Sequence, residues 1–250
     1  MVRDAGAWHM FFEVFNRQAG KGEIGWAMSN DALRWEYQGI VLKEPFHLSY
    51  PYVFAWNDRW YMIPETHKAG SIRLYEAASF PAGWSLAATL ASGHSFSDTS
   101  PFYHHGKWWL FTETDPQYRF DTLRLYHAEN LRGPWSEHSR SPLITGDPHI
   151  ARPAGRVIVD GERIIRFAQD CIPRYGTSVR AFEVTELTEE SYSERPLVDS
   201  PVLAGSGMGW NACGMHHVDA HMVGENHWIS CVDGWCLESP GTGAAAKANS

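Results

Sequence analysis

A short apolar segment that ends in a polar, mostly acidic residue occurs five times along the 250-residue chain. Each copy begins just after a turn with a bulky apolar residue, at Trp8, Trp60, Trp108, Ile164 and Trp228. The polar residue follows five positions later in every copy, at Glu13, Glu65, Glu113, Gln169 and Asp233. The copies start 52, 48, 56 and 64 residues apart, and periods of this size indicate a repeat architecture.

Within each repeat, runs rich in β-branched and aromatic residues are separated by turn residues, which is typical of short strands. The second repeat predicts strands at 50–56, 60–66, 71–79 and 84–91. The third repeat follows the same order, and its segment RLYHAEN matches RLYEAAS of the second. Four antiparallel strands in each of five repeats predict an all-β, five-bladed β-propeller. A β-sandwich is the rival, but it gives no reason for one hairpin to recur five times.

The two ends of the chain depart from the repeat. Only three residues precede the first turn, so the first blade is expected to be incomplete at the N-terminus. We expect a single propeller domain at 1–236. Residues 237–250 are rich in Gly, Ala and Ser and are expected to form a disordered tail.

Composition narrows the classes of function. The 12 Trp, 12 Phe and 10 Tyr residues suit a core between stacked sheets, with some left for sugar stacking. The formal net charge of -8 disfavours nucleic acid and anionic membranes as partners.

We find no apolar segment long enough for a membrane span and no signal peptide, so we expect a cytoplasmic protein; secretion stays open if the N-terminus is truncated. The four cysteines lack a paired spacing and are expected to be free thiols, and the oligomeric state is not predicted.

In a propeller, the ends of the second strands and the segments before the first strands converge at one end of a central channel. We therefore expect Glu13, Glu65 and Glu113 to face a common pocket, together with Asp98 from the segment before the third inner strand. Clustered carboxyl groups suit glycoside chemistry, in which one carboxylic acid protonates the leaving oxygen and a second is base or nucleophile. The alternative is that each acid caps a strand end or pairs with an arginine of a neighbouring blade.

The remaining candidates are expected to bind substrate: Tyr50, His149, Arg152, Arg156, Gln169, Asp170, His217 and Asp233. Arg152 and Arg156 occupy the position of a first strand, where they would either bind a carboxylate or phosphate through forked hydrogen bonds or neutralise the acids. His217, Asp219 and His221 share one strand face, but their spacing matches no zinc pattern. No metal and no cofactor are expected, and an ion or water in the central channel stays an open alternative.

Strings such as YPYVFAWNDRWYMIPET and SDTSPFYHHGKWWLFTET resemble those of five-bladed propellers of the glycoside hydrolase family 43 type. The segments DTSPF, ARPAGR and CGMHH also resemble the propeller-like N-terminal region of plant glucosamine inositolphosphorylceramide transferases and its bacterial counterparts. This likeness extends from residue 1 to about 236. It implies a carbohydrate-active or carbohydrate-binding propeller whose ligand is a saccharide or glycoconjugate.

The resemblance also implies roles for individual residues. The hydrolases use a base Asp in the first inner strand, which has no counterpart here, a second Asp to which Asp98 corresponds loosely, and an acid Glu, for which Glu65 or Glu113 is the candidate. The related phosphorylases combine one acid with basic phosphate-binding residues, a part that Arg152, Arg156 and His217 would take.

The sequence leaves three alternative functions open. The first is an enzyme that breaks a glycosidic bond by hydrolysis or phosphorolysis. The second is a non-catalytic sugar-binding or accessory propeller of a glycan or glycolipid biosynthesis system. The third is a protein-interaction propeller, and the expected convergence of polar residues argues against it.

Overall fold

The computed structural model describes residues 1–225 and 227–237, and the regular secondary structure of these residues is almost entirely antiparallel strands. Two four-stranded sheets come first, and in each the strands lie in chain order. Blade 1 contains β1 (Val2–Asp4), β2 (Ala7–Asn16), β3 (Lys21–Ser29) and β4 (Glu36–Leu42). Blade 2 contains β5 (Ser49–Trp56), β6 (Arg59–Glu65), β7 (Ser71–Ser79) and β8 (Ala82–Ser92), with a 3₁₀ turn at His67–Ala69.

Two further blades have broken strands. Blade 3 contains β9 (Ser97–His104), β10 (Lys107–Glu113), β11 (Thr122–Ala128), β12 (Ser136–Glu137) and β13 (Ile144–Thr145), and both last pieces pair with β11. Blade 4 contains β14 (Arg152–Pro153), β15 (Ile158–Asp160), β16 (Arg163–Asp170), β17 (Ser178–Leu187), β18 (Tyr192–Pro196) and β19 (Leu203–Ala204). After a 3₁₀ turn at Gly209–Asn211, β20 (Val218–Gly224) and β21 (His227–Val232) form a two-stranded sheet, which we call the closing hairpin.

The repeat seen in the sequence is a repeat of strand register. The bulky residue that starts each copy pairs with a residue of the preceding strand, in the pairs Arg3–Trp8, Ala55–Trp60, Tyr103–Trp108, Val159–Ile164 and Met222–Trp228. The first four pairs are separated by the same number of residues, and the closing hairpin has one residue more. Turns of equal length therefore place the polar ends of the second strands at equivalent heights in the four blades.

The all-β propeller is confirmed, but the prediction of five four-stranded blades is wrong. The described residues form four blades of four or more strands, and the last sheet has only two. The first blade is also not the incomplete one, because three residues suffice for a short inner strand that pairs Val2 with His9 and Asp4 with Ala7. The predicted tail lies outside the described residues except for Leu237.

Apolar side chains fill the spaces between neighbouring sheets. Phe11, Val53 and Met62 belong to the core between blades 1 and 2, and Leu74 and Trp108 to the core between blades 2 and 3. Similar clusters join blade 3 to blade 4 and blade 4 to the closing hairpin. Most of the aromatic side chains thus belong to the core. The sheets pack around an axis in the order in which they occur along the chain. No helix in the described part of the chain has the length and apolar character needed to cross a membrane.

Candidate functional site

A cavity of about 570 Å³ lies where the sheets meet, within the usual range of roughly 300–1,000 Å³ for small-molecule sites. Residues of all five sheets or of the segments next to them line it. Of the five aligned polar positions, those that line the cavity are Glu13, Glu65, Gln169 and Asp233. Of the other predicted site residues, those that line it are Tyr50, Asp98, Arg152, Arg156 and His217.

Glu113 does not line the cavity, which corrects its expected place in the pocket. Its side chain is fully buried at the end of β10. One carboxyl oxygen accepts the backbone N–H of Asp115 at 2.5 Å, and the other has no hydrogen-bond partner. Burial raises the pKa of Glu113 to about 7. The residue therefore lies behind the site, where a ligand in the cavity would not touch it.

His149 and Asp170 also lie outside the cavity lining. Asp170 is buried and accepts hydrogen bonds from Arg180, at 2.7 and 2.9 Å, while its other oxygen lies 2.8 Å from His149 Nδ1. Asp170 follows Gln169 on β16, and successive side chains of a strand point to opposite faces. The prediction that these two residues bind substrate is therefore not supported by their position.

A β-bulge shapes the inner strands of blades 2 and 3 in the same way. Ser49 pairs with Glu65, but Tyr52, three residues later, pairs with Ile63, only two residues earlier on the partner strand. The same offset follows Ser97 in blade 3. The residues just after these two serines are Tyr50 and Asp98, with φ of +43° and +51°. Such backbone costs about 1–3 kcal/mol for a residue other than glycine, and it turns both side chains into the cavity.

Four side chains form a buried cluster at the centre of the site. Arg152 Nε donates to Asp98 Oδ2 at 2.6 Å, and Arg152 Nη2 donates to Glu65 Oε2 at 3.4 Å. Gln169 Nε2 donates to the same oxygen of Asp98 at 2.6 Å and to the carbonyl of Pro153 at 2.8 Å. One guanidinium thus holds two carboxyl groups, which come from two different blades.

The environment shifts the pKa values of these two carboxyl groups in opposite directions. Burial, and then the charge of Asp98, raise the pKa of Glu65 well above its ordinary value. Burial alone would also raise the pKa of Asp98, but the Arg152 guanidinium outweighs it and holds that pKa below its usual range. The pKa values of these two neighbouring carboxyl groups are thus pushed in opposite directions, which is the pattern expected when like charges share a site.

A second buried ion pair occupies the other side of the channel. Arg156 Nε donates to Asp219 Oδ1 at 2.7 Å, and Arg156 Nη2 donates to the carbonyl of Val53 at 2.9 Å. Asp219 also accepts from the amino group of Met1, and its Oδ1 lies 3.1 Å from His221 Nε2. Burial would raise the pKa of Asp219, but the charge of Arg156 lowers it well below its usual value. In this structure both arginines neutralise acids.

A close backbone contact places Arg156 opposite Asp219. Val218 donates to the carbonyl of Ala154 at 2.8 Å, and Arg156 N–H reaches back to the carbonyl of Val218 at 3.3 Å. Gly155 between them has φ of +136°, and a Cβ atom there would lie 1.8 Å from the Val218 oxygen. Only glycine fits this junction of blade 4 with the closing hairpin.

Aromatic rings that the sequence reading missed form one wall of the cavity. Tyr118 and Phe120 follow the aligned acid of blade 3, and Tyr175 follows Gln169 in blade 4. The guanidinium carbon of Arg152 lies 4.5 Å from the centre of the Phe120 ring and 4.9 Å from that of Tyr175. The sequence feature that could have predicted this wall is the aromatic residues in the loops just after the second strands, at the same end of the sheets as the acids.

Two acids that line the cavity have histidine partners. His47 Nε2 lies 3.5 Å from Glu13 Oε1, and His216 Nδ1 lies 3.0 Å from Asp233 Oδ2. Burial raises the pKa of Glu13 and lowers that of His216. Both acids are more than one-third exposed, unlike Asp98 and Asp219. Of the five carboxyl groups that line the site, these two are the most exposed.

Comparison with known proteins agrees with this architecture. Residues 2–235 match the family described as "Glucosamine inositolphosphorylceramide transferase 1, N-terminal". A relative from Oryza sativa subsp. japonica, named glucosamine inositolphosphorylceramide transferase 1, is 35% identical over 231 residues, which is 90% of this chain and 31% of that protein. The chain thus spans about a third of the length of the curated relatives it matches.

Solved structures that share the fold include glycoside hydrolases. The catalytic domain of a GH62 α-L-arabinofuranosidase from Coprinopsis cinerea has a TM-score of 0.71 at 16% identity, over 96% of this chain and 84% of that one. A GH43 β-1,3-galactosidase has a TM-score of 0.67 at 16% identity, over 94% of this chain and 52% of that one. At these identities the likeness shows the propeller fold alone. By the match over residues 2–235, the chain belongs to the family of glucosamine inositolphosphorylceramide transferase N-terminal regions.

Proposed function

We propose that the central cavity binds a saccharide, or the sugar of a glycoconjugate, as a recognition site that does not cleave it. The observation that carries this proposal is the combination of an aromatic wall with polar groups fixed by hydrogen bonds in one cavity of about 570 Å³. Aromatic rings offer flat apolar faces, and a few oriented polar groups give specificity, as small-molecule sites require.

The geometry of the carboxyl groups argues against bond cleavage. Glycosidases place two carboxyl groups about 5–9.5 Å apart on either side of the scissile bond. Here Glu65 and Asp98 are held side by side by the Arg152 guanidinium, and Asp98 is further engaged by Gln169. Glu113 lies outside the cavity lining. The aligned position of blade 4 holds an amide, Gln169, which cannot exchange a proton in this role.

The names and lengths of the relatives support an accessory role. They are named as transferases, and this chain matches only about a third of their length. A propeller that recognises a sugar without altering it would serve a system that builds glycans or glycolipids by presenting the substrate to a separate catalytic domain.

A second candidate is the cleavage of a glycosidic bond by hydrolysis or phosphorolysis. One observation favours it: burial raises the pKa of Glu65 well above its ordinary value, which favours the protonated form that a general acid needs. Glu13, which lines the same cavity, would then be the base or nucleophile.

The two candidates are separated by measuring binding and turnover on the same protein. A glycan array, followed by calorimetry of the positive saccharides, would give affinities, and mass spectrometry with and without phosphate would detect cleavage. We expect binding without products, and binding weakened about tenfold by Tyr175→Ala, which removes a stacking face. Tyr103→Ala, an exposed tyrosine that does not line the cavity, is the matched control.

Two results would overturn the recognition proposal. If no saccharide binds, or if Tyr175→Ala binds as well as Tyr103→Ala, the cavity is not the sugar site. If products form and Glu65→Gln abolishes them while affinity is retained, the second candidate replaces the first.

A further inference from the structure

We propose that a zinc ion binds between the turns of blades 3 and 4, at the end of the propeller opposite the central cavity. Its ligands are His104 and His105 from blade 3 and Glu162 from blade 4. Each of these turns joins a first strand to a second strand, and the polar residues that face the cavity lie at the other end of the second strands. The site is therefore separate from the proposed sugar-binding site and does not depend on it.

The turn of blade 3 brings two neighbouring imidazoles to the same side. Successive side chains of a regular strand point to opposite faces, so adjacent histidines would normally diverge. His104 ends β9, and a two-residue turn of His105 and Gly106 follows, with φ of +50° and +78°. The two imidazole ring centres lie only 4.0 Å apart. A single hairpin turn thus supplies two nitrogen ligands.

The shape of this turn does not by itself account for the histidine. Two-residue turns with positive φ at both central residues favour Asn or Asp followed by Gly. The equivalent turn of blade 2 contains Asn57 and Asp58, with φ of +49° and +59°. Such backbone costs a residue other than glycine about 1–3 kcal/mol, and it is found most often at functional sites. His105 instead directs its ring toward blade 4.

Blade 4 supplies an oxygen ligand at the same level. Glu162 belongs to the two-residue turn between β15 and β16, and its Oε2 lies 2.8 Å from His105 Nε2. The ligand atoms of the three residues all lie within 4.8 Å of one another. Tetrahedral zinc, with bonds of about 2.0–2.2 Å, would place its ligand atoms about 3.4 Å apart. The side chains of His105 and Glu162 are 63% and 83% exposed, so they have room for this adjustment.

The cationic side chains next to the site in the sequence are engaged elsewhere. Lys107 contacts two other glutamates, and Arg163 Nε lies 3.3 Å from Glu183 Oε1. The group that contacts Glu162 is an imidazole, which in its neutral form is the commonest metal ligand in proteins. A divalent cation can therefore approach the Glu162 carboxylate without displacing a lysine or an arginine.

Two imidazole nitrogens and one carboxylate oxygen form a ligand set that suits zinc. Three protein ligands leave the fourth tetrahedral position to water. Because the ligands come from two blades, the ion would join blades 3 and 4 at their turns. Zinc should therefore stabilise the folded protein, since the unfolded chain does not hold the three ligands together.

The test is a calorimetric titration of zinc chloride into the protein, freed of metal by a chelator and carrying no affinity tag. We expect one equivalent to bind, and His105→Asn and Glu162→Gln each to weaken binding at least about tenfold, because each removes one of three ligands. Asparagine suits this turn, so His105→Asn should fold normally. His227→Asn, which removes an exposed histidine of the closing hairpin, is the matched control and should bind zinc like the wild type.

Thermal unfolding gives a second, independent result. Zinc should raise the thermal midpoint of the wild type and of His227→Asn, and should not raise that of His105→Asn or Glu162→Gln. If the wild type binds no zinc, or if both ligand variants keep its affinity, the proposal is wrong. Neither result affects the sugar-binding proposal, because the three ligands do not line the central cavity.

Discussion

At the scale of single residues, the site depends on Arg152. Its guanidinium neutralises Asp98, donates to Glu65 and lies against two aromatic rings of the cavity wall. It is also buried, with 8% of its surface exposed. A buried ion pair contributes less by its own attraction than by preventing either charge from being left alone in a low dielectric.

Replacement of Arg152 by methionine should therefore destabilise the fold strongly. We expect Arg152→Met to cost about 3–5 kcal/mol, because Asp98 would remain buried without its cation. Arg195→Met, at an exposed arginine paired with Glu183, should cost about 1 kcal/mol or less. Urea unfolding measures both. The double variant Arg152→Met/Asp98→Asn should recover part of the lost stability, because it no longer buries an unpaired carboxylate. Equal losses for Arg152→Met and Arg195→Met would contradict this interpretation.

The buried carboxyl of Glu113 should make stability depend on pH. Its pKa is about 7 in the folded protein against an ordinary 4.5, so the folded state alone holds the proton between these values. Below pH 4.5 this proton stabilises the folded state in full, and about 3 kcal/mol of unfolding free energy is lost as the pH rises to 7.

Glu113→Gln should remove this dependence. From pH 5 to pH 8 the wild type should lose about 3 kcal/mol of unfolding free energy relative to the variant. Urea unfolding at the two pH values tests this, with Glu36→Gln as the exposed control. Parallel changes in wild type and Glu113→Gln would show that Glu113 does not titrate as described.

The sequence predicted the shared height of the polar residues but not their accessibility. Equal spacing after a turn fixes register, and this brought Glu13, Glu65, Gln169 and Asp233 to one cavity. Whether a strand-end acid faces the cavity or the interior depends on the loop that follows it. Around Glu113 that loop turns back through Asp115, whose backbone N–H caps the carboxyl. No local sequence pattern predicts that a loop folds back on the acid in this way.

At the scale of elements, two irregularities bring the site together. The bulges in β5 and β9 turn Tyr50 and Asp98 inward, and the break between β14 and β15 lets Gly155 meet the closing hairpin. A regular strand at either place would keep its alternation and its ladder of hydrogen bonds. Bulges next to functional sites serve to re-aim a side chain.

Gly155→Ala should disrupt the junction of blade 4 with the closing hairpin. The new Cβ would meet the Val218 oxygen at 1.8 Å, and the backbone has φ of +136°. Gly39 shares a similar φ of +128° but has no atom within 4 Å of an added Cβ. Gly39→Ala therefore isolates the cost of the backbone angle, about 1–3 kcal/mol.

We expect Gly155→Ala to lower the thermal midpoint clearly more than Gly39→Ala, because the clash adds to the strain. It should also weaken saccharide binding, since the contact sets Arg156 opposite Asp219. Differential scanning fluorimetry and calorimetry measure the two effects. Similar midpoints for the two variants would mean that the Gly155 contact does not hold the hairpin.

The sequence predicted regular strands well and irregular ones poorly. In blade 2 the predicted strands agree with the observed ones to within two residues, because apolar runs and turn residues mark their ends. The outermost strand of blade 3 is instead two short pieces on either side of Pro142, which has no N–H to donate. The two-stranded last sheet was also missed, since its hairpin has the repeat pattern and the blade count rested on that pattern alone.

At the scale of the whole molecule, the ring gathers polar groups that are far apart in the chain. Glu65 and Arg152 belong to different blades and are separated by 87 positions in the sequence. Burying each alone would be unfavourable, and only the packed ring supplies the partners. The proposed sugar recognition and the stability of the fold therefore depend on the same closure of the sheets.

The most direct test of this account is a crystal structure of the protein with its tightest-binding saccharide. We predict that the sugar lies in the central cavity, with one ring against Tyr175 or Phe120 and a polar group within hydrogen-bond distance of Glu13, Glu65 or Asp233. A saccharide bound on the outer edges of the blades, with the central cavity unoccupied, would contradict it.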